Sequence, residues 1–215
     1  MDVVLDNLDV YVKGLSTTAA LTALSFAIAF GVGVVVAAFR VSPVPPLRMA
    51  GAVWVQALRN TPLAVLFFLL FFGLPKAGVQ FSSLFVSAVI VLSAYTSTFV
   101  AETVRSGINS VARGQAEAAR AIGLRFSQVL VIVVLPQALR TVVAPLASVL
   151  IALIKNSGIA AAFAVIELTN RAQRLSEETA QPIPVYLGAA AAYVLLAVPT
   201  GWASGLLERR VAIKR

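Results

Sequence analysis

Long apolar runs separated by short polar segments dominate the sequence. Runs at residues 14–39, 49–74, 82–103, 145–168 and 185–207 are each long enough for a helix that crosses a hydrocarbon layer roughly 30 Å thick. Within each run the apolar residues are continuous rather than alternating with period two, which favours helices over a β-barrel. The pattern predicts an all-α integral membrane protein, with one domain over residues 1–215 and five transmembrane helices.

Basic residues cluster at the ends of the apolar runs and predict the topology. Asp2, Asp6 and Asp9 precede the first run, whereas Arg40 and Arg48 follow it. Because loops rich in Lys and Arg stay in the cytoplasm, we expect the N-terminus outside and the C-terminus in the cytoplasm. The same clustering accounts for the net charge of +8, so we expect no nucleic-acid partner.

Composition excludes several kinds of chemistry. Only 12% of the residues are charged, about half the share that a soluble domain carries, and the chain has no Cys and no His. Disulfides, most zinc sites and the usual general base near neutral pH are therefore excluded. No Lys follows a Gly and precedes Ser or Thr, as a phosphate-binding P-loop requires. We expect no catalytic residue, no metal site and no cofactor in this chain, and we do not expect an enzyme.

A short polar helix is predicted inside the cytosolic segment at residues 105–127. Gly114 and Gly123 bracket barely two turns, and Glu117 in the first turn suits the positive end of the helix dipole. A helix this short is unstable alone in water, so it must pack against something. Because Ala118 and Ala119 keep it slim, we predict that it enters a groove on a separate cytosolic protein.

Polar residues interrupt the second predicted span. Arg59, Asn60, Thr61 and Pro62 lie about ten residues into it, where an Arg and a helix-interrupting Pro are costly in lipid. Either Arg59 lies near the membrane–water interface and extends its guanidinium toward the water, or it faces a polar cavity together with Asn60 and Thr61. Both interpretations stay open from the sequence.

Two further spans carry ionisable residues. Glu102 lies near the inner end of the third span, where it either pairs with Arg105 or Arg113 or contacts a transport pathway. Lys155, Asn156, Ser157 and Gly158 fall near the middle of the fourth span. A Lys at that depth is costly unless it is hydrated or paired, and broken helices at mid-membrane expose backbone groups to substrates in transporters. We favour a pathway role for this tetrad over a structural ion pair.

Small residues also recur in the first span. Ala19, Ala23, Ala27 and Gly31 are spaced every fourth residue, so they share one helical face. The spacing predicts either a face for close helix packing or an ordinary alanine-rich membrane helix.

The polar helix and its surroundings resemble a known family. Glu117-Ala118-Ala119, Gly123 and Leu135-Pro136 resemble the cytoplasmic EAA loop of ABC importer permeases, with Val133 where the family usually has Ile. Other runs resemble the polar amino acid branch, and residues 95–102 look closest to actinobacterial glutamate permease subunits. These runs are residues 59–63, 72–75, 106–111, 114–115 and 155–157.

The resemblance implies a type I ABC importer permease fold in a bacterial cell (inner) membrane and an assembly around it. Two permease subunits, homologous or identical, would form the pathway. Two ATPase subunits would hold ATP and Mg, and an extracellular amino acid-binding protein would deliver the substrate. Contact with the ATPase is implied for Gly114, Gln115, Glu117, Ala118, Ala119 and Gly123. We expect Arg59, Asn60, Thr61, Glu102, Lys155, Asn156 and Ser157 along the pathway, with glutamate as substrate. The alternative is an amino acid channel or permease that does not depend on ATP.

Overall fold

The described part of the chain is a bundle of helices. The computed structural model describes the backbone of residues 2–79 and 81–211, and the side chains of these residues except Phe126 and residues 207–211. Within these ranges there is no strand, as predicted. The helices in chain order are α1 Asp2–Leu5, α2 Leu8–Val41, α3 Pro45–Arg59, α4 Leu63–Phe68, a π-helical turn at Leu69–Gly73, α5 Leu74–Lys76, α6 Leu84–Ser110, α7 Arg113–Ala121, α8 Phe126–Gln128, a π-helical stretch at Val129–Val134, α9 Leu135–Asn156, a 3-10 stretch at Ser157–Phe163, α10 Leu168–Thr179 and α11 Pro182–Val211.

Four helical stretches among the described residues are long and apolar enough to cross a membrane. They are Leu8–Val41, Leu84–Ser110, Val129–Phe163 and Pro182–Leu206. A fifth crossing is possible where Pro45–Arg59 and Leu63–Lys76 follow one another, but these two segments meet at 99°. The membrane-helix architecture is therefore confirmed, with four spans or five if the bent pair counts as one.

The bend replaces the continuous second helix expected over residues 49–74. Helix α3 ends at Arg59, and Pro62 immediately precedes α4. Pro has no N–H to donate to the preceding turn and disfavours helical backbone at the residue before it, so the chain turns there. The polar residues Asn60 and Thr61 thus lie at an elbow rather than inside a straight span.

The fourth helical stretch also begins earlier than its apolar run suggested. Residues 126–135 had been expected to lie outside a span that starts at Pro145, yet the helix is continuous from Val129 through Phe163 and Pro145 lies inside α9. The π-helical turns before Leu135 lead directly into α9, and Pro136 occupies the first turn of α9, where its missing N–H costs little. Lys155 and Asn156 are consequently the last residues of α9, nearer the C-terminal end of this stretch than its middle, where the α-helix changes to the 3-10 turns Ser157–Phe163.

Close packing in α2 uses a different face from the predicted one. Ala23, Ala27 and Gly31 are exposed in this chain. The contact with α6 instead runs through Gly33, where an added Cβ would lie 2.6 Å from Val100 Cβ. The face with Ala23, Ala27 and Gly31 is therefore not used for packing within this chain, and the close approach to α6 lies on the side with Ser25, Ala29 and Gly33.

Candidate functional site

Helix α7 carries the residues that the sequence assigned to contact with an ATPase. Its nine residues span roughly 13 Å. Ala119 is 6% exposed and faces inward, whereas Gly114, Glu117 and Ala118 are exposed. The helix starts at Arg113, so Gly114 lies in its first turn instead of bracketing it. One side of α7 therefore holds it to the protein and the other presents small side chains and one carboxylate.

A glycine ends α7 as predicted. Gly123 has φ of +94°, and its N–H donates to the Arg120 carbonyl at 2.9 Å. The N–H of Leu124 donates to the Ala119 carbonyl at 3.2 Å. Together these bonds form a Schellman motif, which needs a left-handed residue at Gly123. The adjacent Ile122 is 80% exposed, so α7 ends in an apolar side chain available to a partner.

Glu102 lies between two arginines at the α7 end of the bundle. Its Oε1 is 3.1 Å from Arg40 Nη1 of α2, and its Oε2 is 2.8 Å from Arg105 Nη2 of α6. The sequence had suggested Arg105 or Arg113 as partners. Helix packing brings Arg40 to the carboxylate, a contact between residues 62 positions apart that no local pattern reveals.

Two cavities share Arg59 and Glu102 as walls. One has a volume of about 330 Å³ and is also lined by Arg40 and Asn60. The other, about 450 Å³, is also lined by Arg105, Ser106 and Thr141 among others. The Arg59 guanidinium lies 5.4 Å from the centroid of the Phe99 ring, close enough for a cation–π contact. Arg59 thus faces polar cavities from the end of α3.

A third cavity extends this line toward the end of α9. It has a volume of about 260 Å³, is lined by Asn156 and Thr96, and shares Phe99 and Val149 with the 450 Å³ cavity. The three cavities therefore adjoin one another between α6 and α9 and beside α3. We call them the cavity row, which runs from Asn156 past Phe99 and Arg59 to Glu102.

Three predicted pathway residues do not line the cavity row. Thr61 Oγ1 donates to the Ala57 carbonyl at 2.7 Å, and Ser157 Oγ donates to the Ile154 carbonyl at 2.7 Å. Both hydroxyls are satisfied by their own helix turns, as is common for hydroxyls in membrane helices. Lys155 is exposed and forms no salt bridge with a described acid. Lys155 is therefore a surface cation of the single subunit.

A buried carboxyl that the sequence analysis missed lies at the opposite end of the bundle. Glu167 is fully buried just before α10 and accepts hydrogen bonds from Asn170 N–H at 2.8 Å and Tyr193 Oη at 2.9 Å. Thr18 Oγ1 lies 3.4 Å from Glu167 Oε2. Because burial disfavours the charged form, the pKa of Glu167 is raised above its ordinary value. The sequence did contain a pattern that could have indicated this residue. An acid stands at the end of the apolar run 158–166 and directly before a polar helix.

This carboxyl cluster connects the 3-10 end of the fourth helical stretch to two other helices. Thr18 belongs to α2 and Tyr193 to α11, while Thr169 Oγ1 lies 2.8 Å from Tyr193 Oη. An added Cβ at Gly158 would lie 2.9 Å from Thr169 Oγ1 and 3.1 Å from Tyr193 Oη. The 3-10 stretch Ser157–Phe163 therefore passes directly against the cluster, and a larger residue at Gly158 would require the Thr169 or Tyr193 side chain to shift.

Comparison with known proteins identifies this arrangement. Residues 29–213 match the family described as binding-protein-dependent transport system inner membrane component. The chain is 36% identical over 211 residues to a probable glutamine ABC transporter permease protein of Bacillus subtilis, covering 98% of this chain and 97% of that one. It is 38% identical over 195 residues to a glutamate transport system permease protein of Corynebacterium glutamicum, covering 85% and 86% of the two chains.

Solved structures show the same fold. A crystal structure of an amino acid ABC transporter with histidines superposes with a TM-score of 0.90 at 29% sequence identity, covering 96% of both chains. An inward-facing MetNI methionine ABC transporter superposes with a TM-score of 0.78 at 22% identity, covering 96% of this chain and 98% of that one. The chain therefore belongs to the binding-protein-dependent transport system inner membrane component family, as an ABC permease subunit that works in the membrane and is not itself an enzyme.

Proposed function

We propose that this chain forms the translocation pathway of an ATP-driven importer for a polar amino acid, with glutamate as its substrate. The observation that carries the proposal is the cavity row, in which Arg59 and Asn60 at the elbow adjoin Asn156 at the end of α9. Relatives named as glutamine, glutamate and cystine permeases support the amino acid class.

The charge of the cavity row supports an acidic substrate. Glu102 is already bonded to Arg40 and Arg105, whereas Arg59 is not salt-bridged to any described acid. Its guanidinium can therefore bind the side-chain carboxylate that glutamate carries and glutamine lacks. Lys155 adds a second exposed cation near Asn156.

Coupling to ATP is proposed to pass through α7. A dimer of ATPase subunits, which bind ATP and Mg, would hold the exposed side of α7, with Gly114, Gln115, Glu117, Ala118 and Ile122 at the contact. Closure of that dimer would move α7 together with α6 and α9. A second permease subunit would complete the pathway, and an extracellular binding protein would deliver the amino acid. This two-state movement needs a partner that binds the two conformations with different affinity.

The coupling role is tested by Glu117→Lys in the complete assembly. We expect the subunit to reach the membrane but to lose co-purification with the ATPase, or to leave ATP hydrolysis uncoupled from uptake. Glu178→Lys, an exposed charge reversal at the opposite end of the bundle, is the matched control and should retain the ATPase. Wild-type uptake by Glu117→Lys would refute the coupling role.

The substrate assignment is tested by Arg59→Gln and Lys155→Ala in reconstituted vesicles. Loss of a charge-assisted bond costs about 1.5–3 kcal/mol, so we expect glutamate uptake by Arg59→Gln to fall by roughly tenfold or more while glutamine uptake changes little. Lys155 lies outside the cavity row of the single subunit, and we propose that the second permease subunit encloses this exposed cation in the pathway, so Lys155→Ala should also lose glutamate uptake. Arg48→Gln, an exposed cation on the same α3 helix, is the control. Equal effects of Arg59→Gln on both amino acids would contradict glutamate selectivity at this site.

The competing function is an amino acid channel or permease that runs without ATP. Polar cavities alone would suit such a channel equally well. A channel without ATP, however, gives no reason for the exposed Glu117 carboxylate or for the Schellman motif that ends α7. Uptake that persists in vesicles containing no ATP would favour this alternative.

A further inference from the structure

A groove beneath α7 has no role in the transport pathway described above. It has a volume of about 560 Å³ and lies between α7 and the π-helical stretch Val129–Val134. Most of its wall is apolar, including Val41, Ile108, Leu130 and Val134. Arg113 and Arg120 of α7 line the same groove. An apolar wall with two cations at one side suits an amphiphile with an anionic head.

The two arginines are placed to bind one anionic group together. They are seven residues apart, so they lie on one side of α7 about 10 Å apart along its axis. Neither forms a salt bridge with an acid of the described residues, although Glu117 lies between them on the same helix. Guanidinium groups bind phosphate oxygens through paired N–H donors, which makes a phosphodiester a fitting ligand.

The position of the groove favours a membrane lipid over a soluble anion. Its wall belongs to the helical stretch that also carries Val131 and Ile132, which are 60% and 61% exposed. Exposed aliphatic side chains on a membrane helix suit contact with lipid. By the distribution of basic residues α7 lies on the cytoplasmic side, where anionic headgroups attract Lys and Arg. The groove thus lies beside an exposed apolar surface suited to lipid and carries two cations on its cytoplasmic side.

We propose that this groove binds the headgroup of an anionic phospholipid of the inner leaflet. The phosphodiester lies between Arg113 and Arg120, and the glycerol and first methylenes lie against Leu130 and Val134. The bound lipid fills the space between α7 and the Val129–Val134 stretch, so it stiffens the link between α7 and α9. The stiffer link should change the ratio of amino acid uptake to ATP hydrolysis, and this effect rests on the proposed function. Binding of the lipid does not rest on it.

Binding is tested with the complete transporter in nanodiscs of phosphatidylcholine that contain a photoactivatable phosphatidylglycerol. We expect cross-links in the groove segments, and mass spectrometry after digestion locates them. Each lipid-facing cation contributes about 1 kcal/mol near an anionic surface, so Arg113→Gln and Arg120→Gln should each reduce labelling roughly fivefold. Arg125→Gln, an exposed arginine that does not line the groove, is the matched control and should label as the wild type does.

Competition and subunit-comparison experiments distinguish the possible occupants of the groove. Excess unlabelled phosphatidylglycerol should displace the probe, whereas glycerol phosphate and inorganic phosphate at millimolar concentration should not. Displacement by the soluble anions would show a free-phosphate site and overturn the proposal. Labelling of the isolated subunit that disappears in the complete transporter would show that a partner subunit covers the groove, which also overturns it.

A measurement on the wild-type transporter tests lipid binding even if the arginine variants do not fold. Unlabelled wild-type transporter should retain co-purifying phosphatidylglycerol over phosphatidylcholine in native mass spectrometry, and retention should weaken as salt rises. Equal retention of the two lipids would overturn the proposal. Because lipid retention needs neither ATP nor substrate, failure of the proposed transport function would leave this result intact.

Discussion

Arg40 Nη1 of α2 lies 3.1 Å from Glu102 Oε1 of α6, and this ion pair joins the two helices that line one end of the cavity row. Arg105 Nη2 holds the other carboxylate oxygen at 2.8 Å. Both partners of Glu102 are partly shielded from solvent, so removing the carboxylate should cost more stability than removing one member of a fully exposed pair.

Glu102→Gln should therefore destabilise the subunit by about 1–2 kcal/mol, because two neighbouring arginines then lose their counter-charge. Thermal unfolding in detergent measures the change. Asp9→Asn removes an acid from the exposed Lys13–Asp9 pair, whose side chains are 63% and 64% exposed, and should leave the melting temperature almost unchanged. Equal losses in the two variants would mean that Glu102 is no better bonded than a surface acid.

Gly33→Ala and Gly31→Ala form a matched pair on α2. An added Cβ at Gly33 would lie 2.6 Å from Val100 and 2.9 Å from the Ser97 carbonyl, whereas Gly31 has open space around it. Overpacking at Gly33 should cost about 1–3 kcal/mol, and Gly31→Ala should gain up to about 1 kcal/mol from helix propensity. Unfolding of the isolated subunit in detergent gives both values. A tolerated Gly33→Ala would show that α2 and α6 can separate freely.

This pair of glycines shows what could not be predicted from the sequence. The four-residue spacing of Ala19, Ala23, Ala27 and Gly31 predicted either a packing face or an ordinary alanine-rich membrane helix, and a helix rich in small residues offers several possible packing faces. Only the position of Val100 on α6 selects the side with Gly33. The packing of α2 against α6, which are distant in the sequence, determines which face of α2 is in contact. Residue spacing within α2 alone does not identify that face.

Local features were predicted more successfully. The left-handed end of α7 at Gly123 follows from residue chemistry alone, and the all-helical membrane architecture follows from continuous apolar runs. The 99° elbow at Pro62 was only partly foreseen, because a Pro interrupts a helix without setting the direction of the next one. The Arg40–Glu102 contact and the burial of Glu167 depend on how distant helices meet.

Phe163 should be a main stabilising contact of the elbow. Its ring centroid lies 5.0 Å from those of Phe67 and Phe68 and 5.3 Å from that of Phe71. These contacts hold α4 and the following π-helical turn against the end of the fourth helical stretch. Phe163→Ala should cost about 3–5 kcal/mol of unfolding free energy. Phe30→Ala, at an exposed ring, should cost under about 1 kcal/mol. Similar melting temperatures for the two variants would contradict a structural role for Phe163.

Glu167 should make stability depend on pH in the direction opposite to that of a salt-bridged acid. It lies beyond the fourth span, which ends at Phe163, and burial raises its pKa above the ordinary value of 4.5. The native state then binds this proton more tightly than the unfolded state does. Stability contributed by Glu167 therefore falls as pH rises from 4.5 through the raised pKa, and the loss is complete above it.

We expect the melting temperature of the wild type to rise, relative to that of Glu167→Gln, as the pH is lowered from neutral toward 4.5. Gln keeps one oxygen, which can accept from the Asn170 N–H as Oε1 does, but it has no proton to gain, so its profile should lack this step. Glu178→Gln, at an exposed acid in α10, the helix that Glu167 directly precedes, should leave the wild-type profile unchanged. Thermal unfolding across this pH range in detergent measures all three. Parallel profiles for the wild type and Glu167→Gln would show that the carboxyl titrates as it does in the unfolded chain, because the difference between the profiles reports only the change in proton affinity at residue 167.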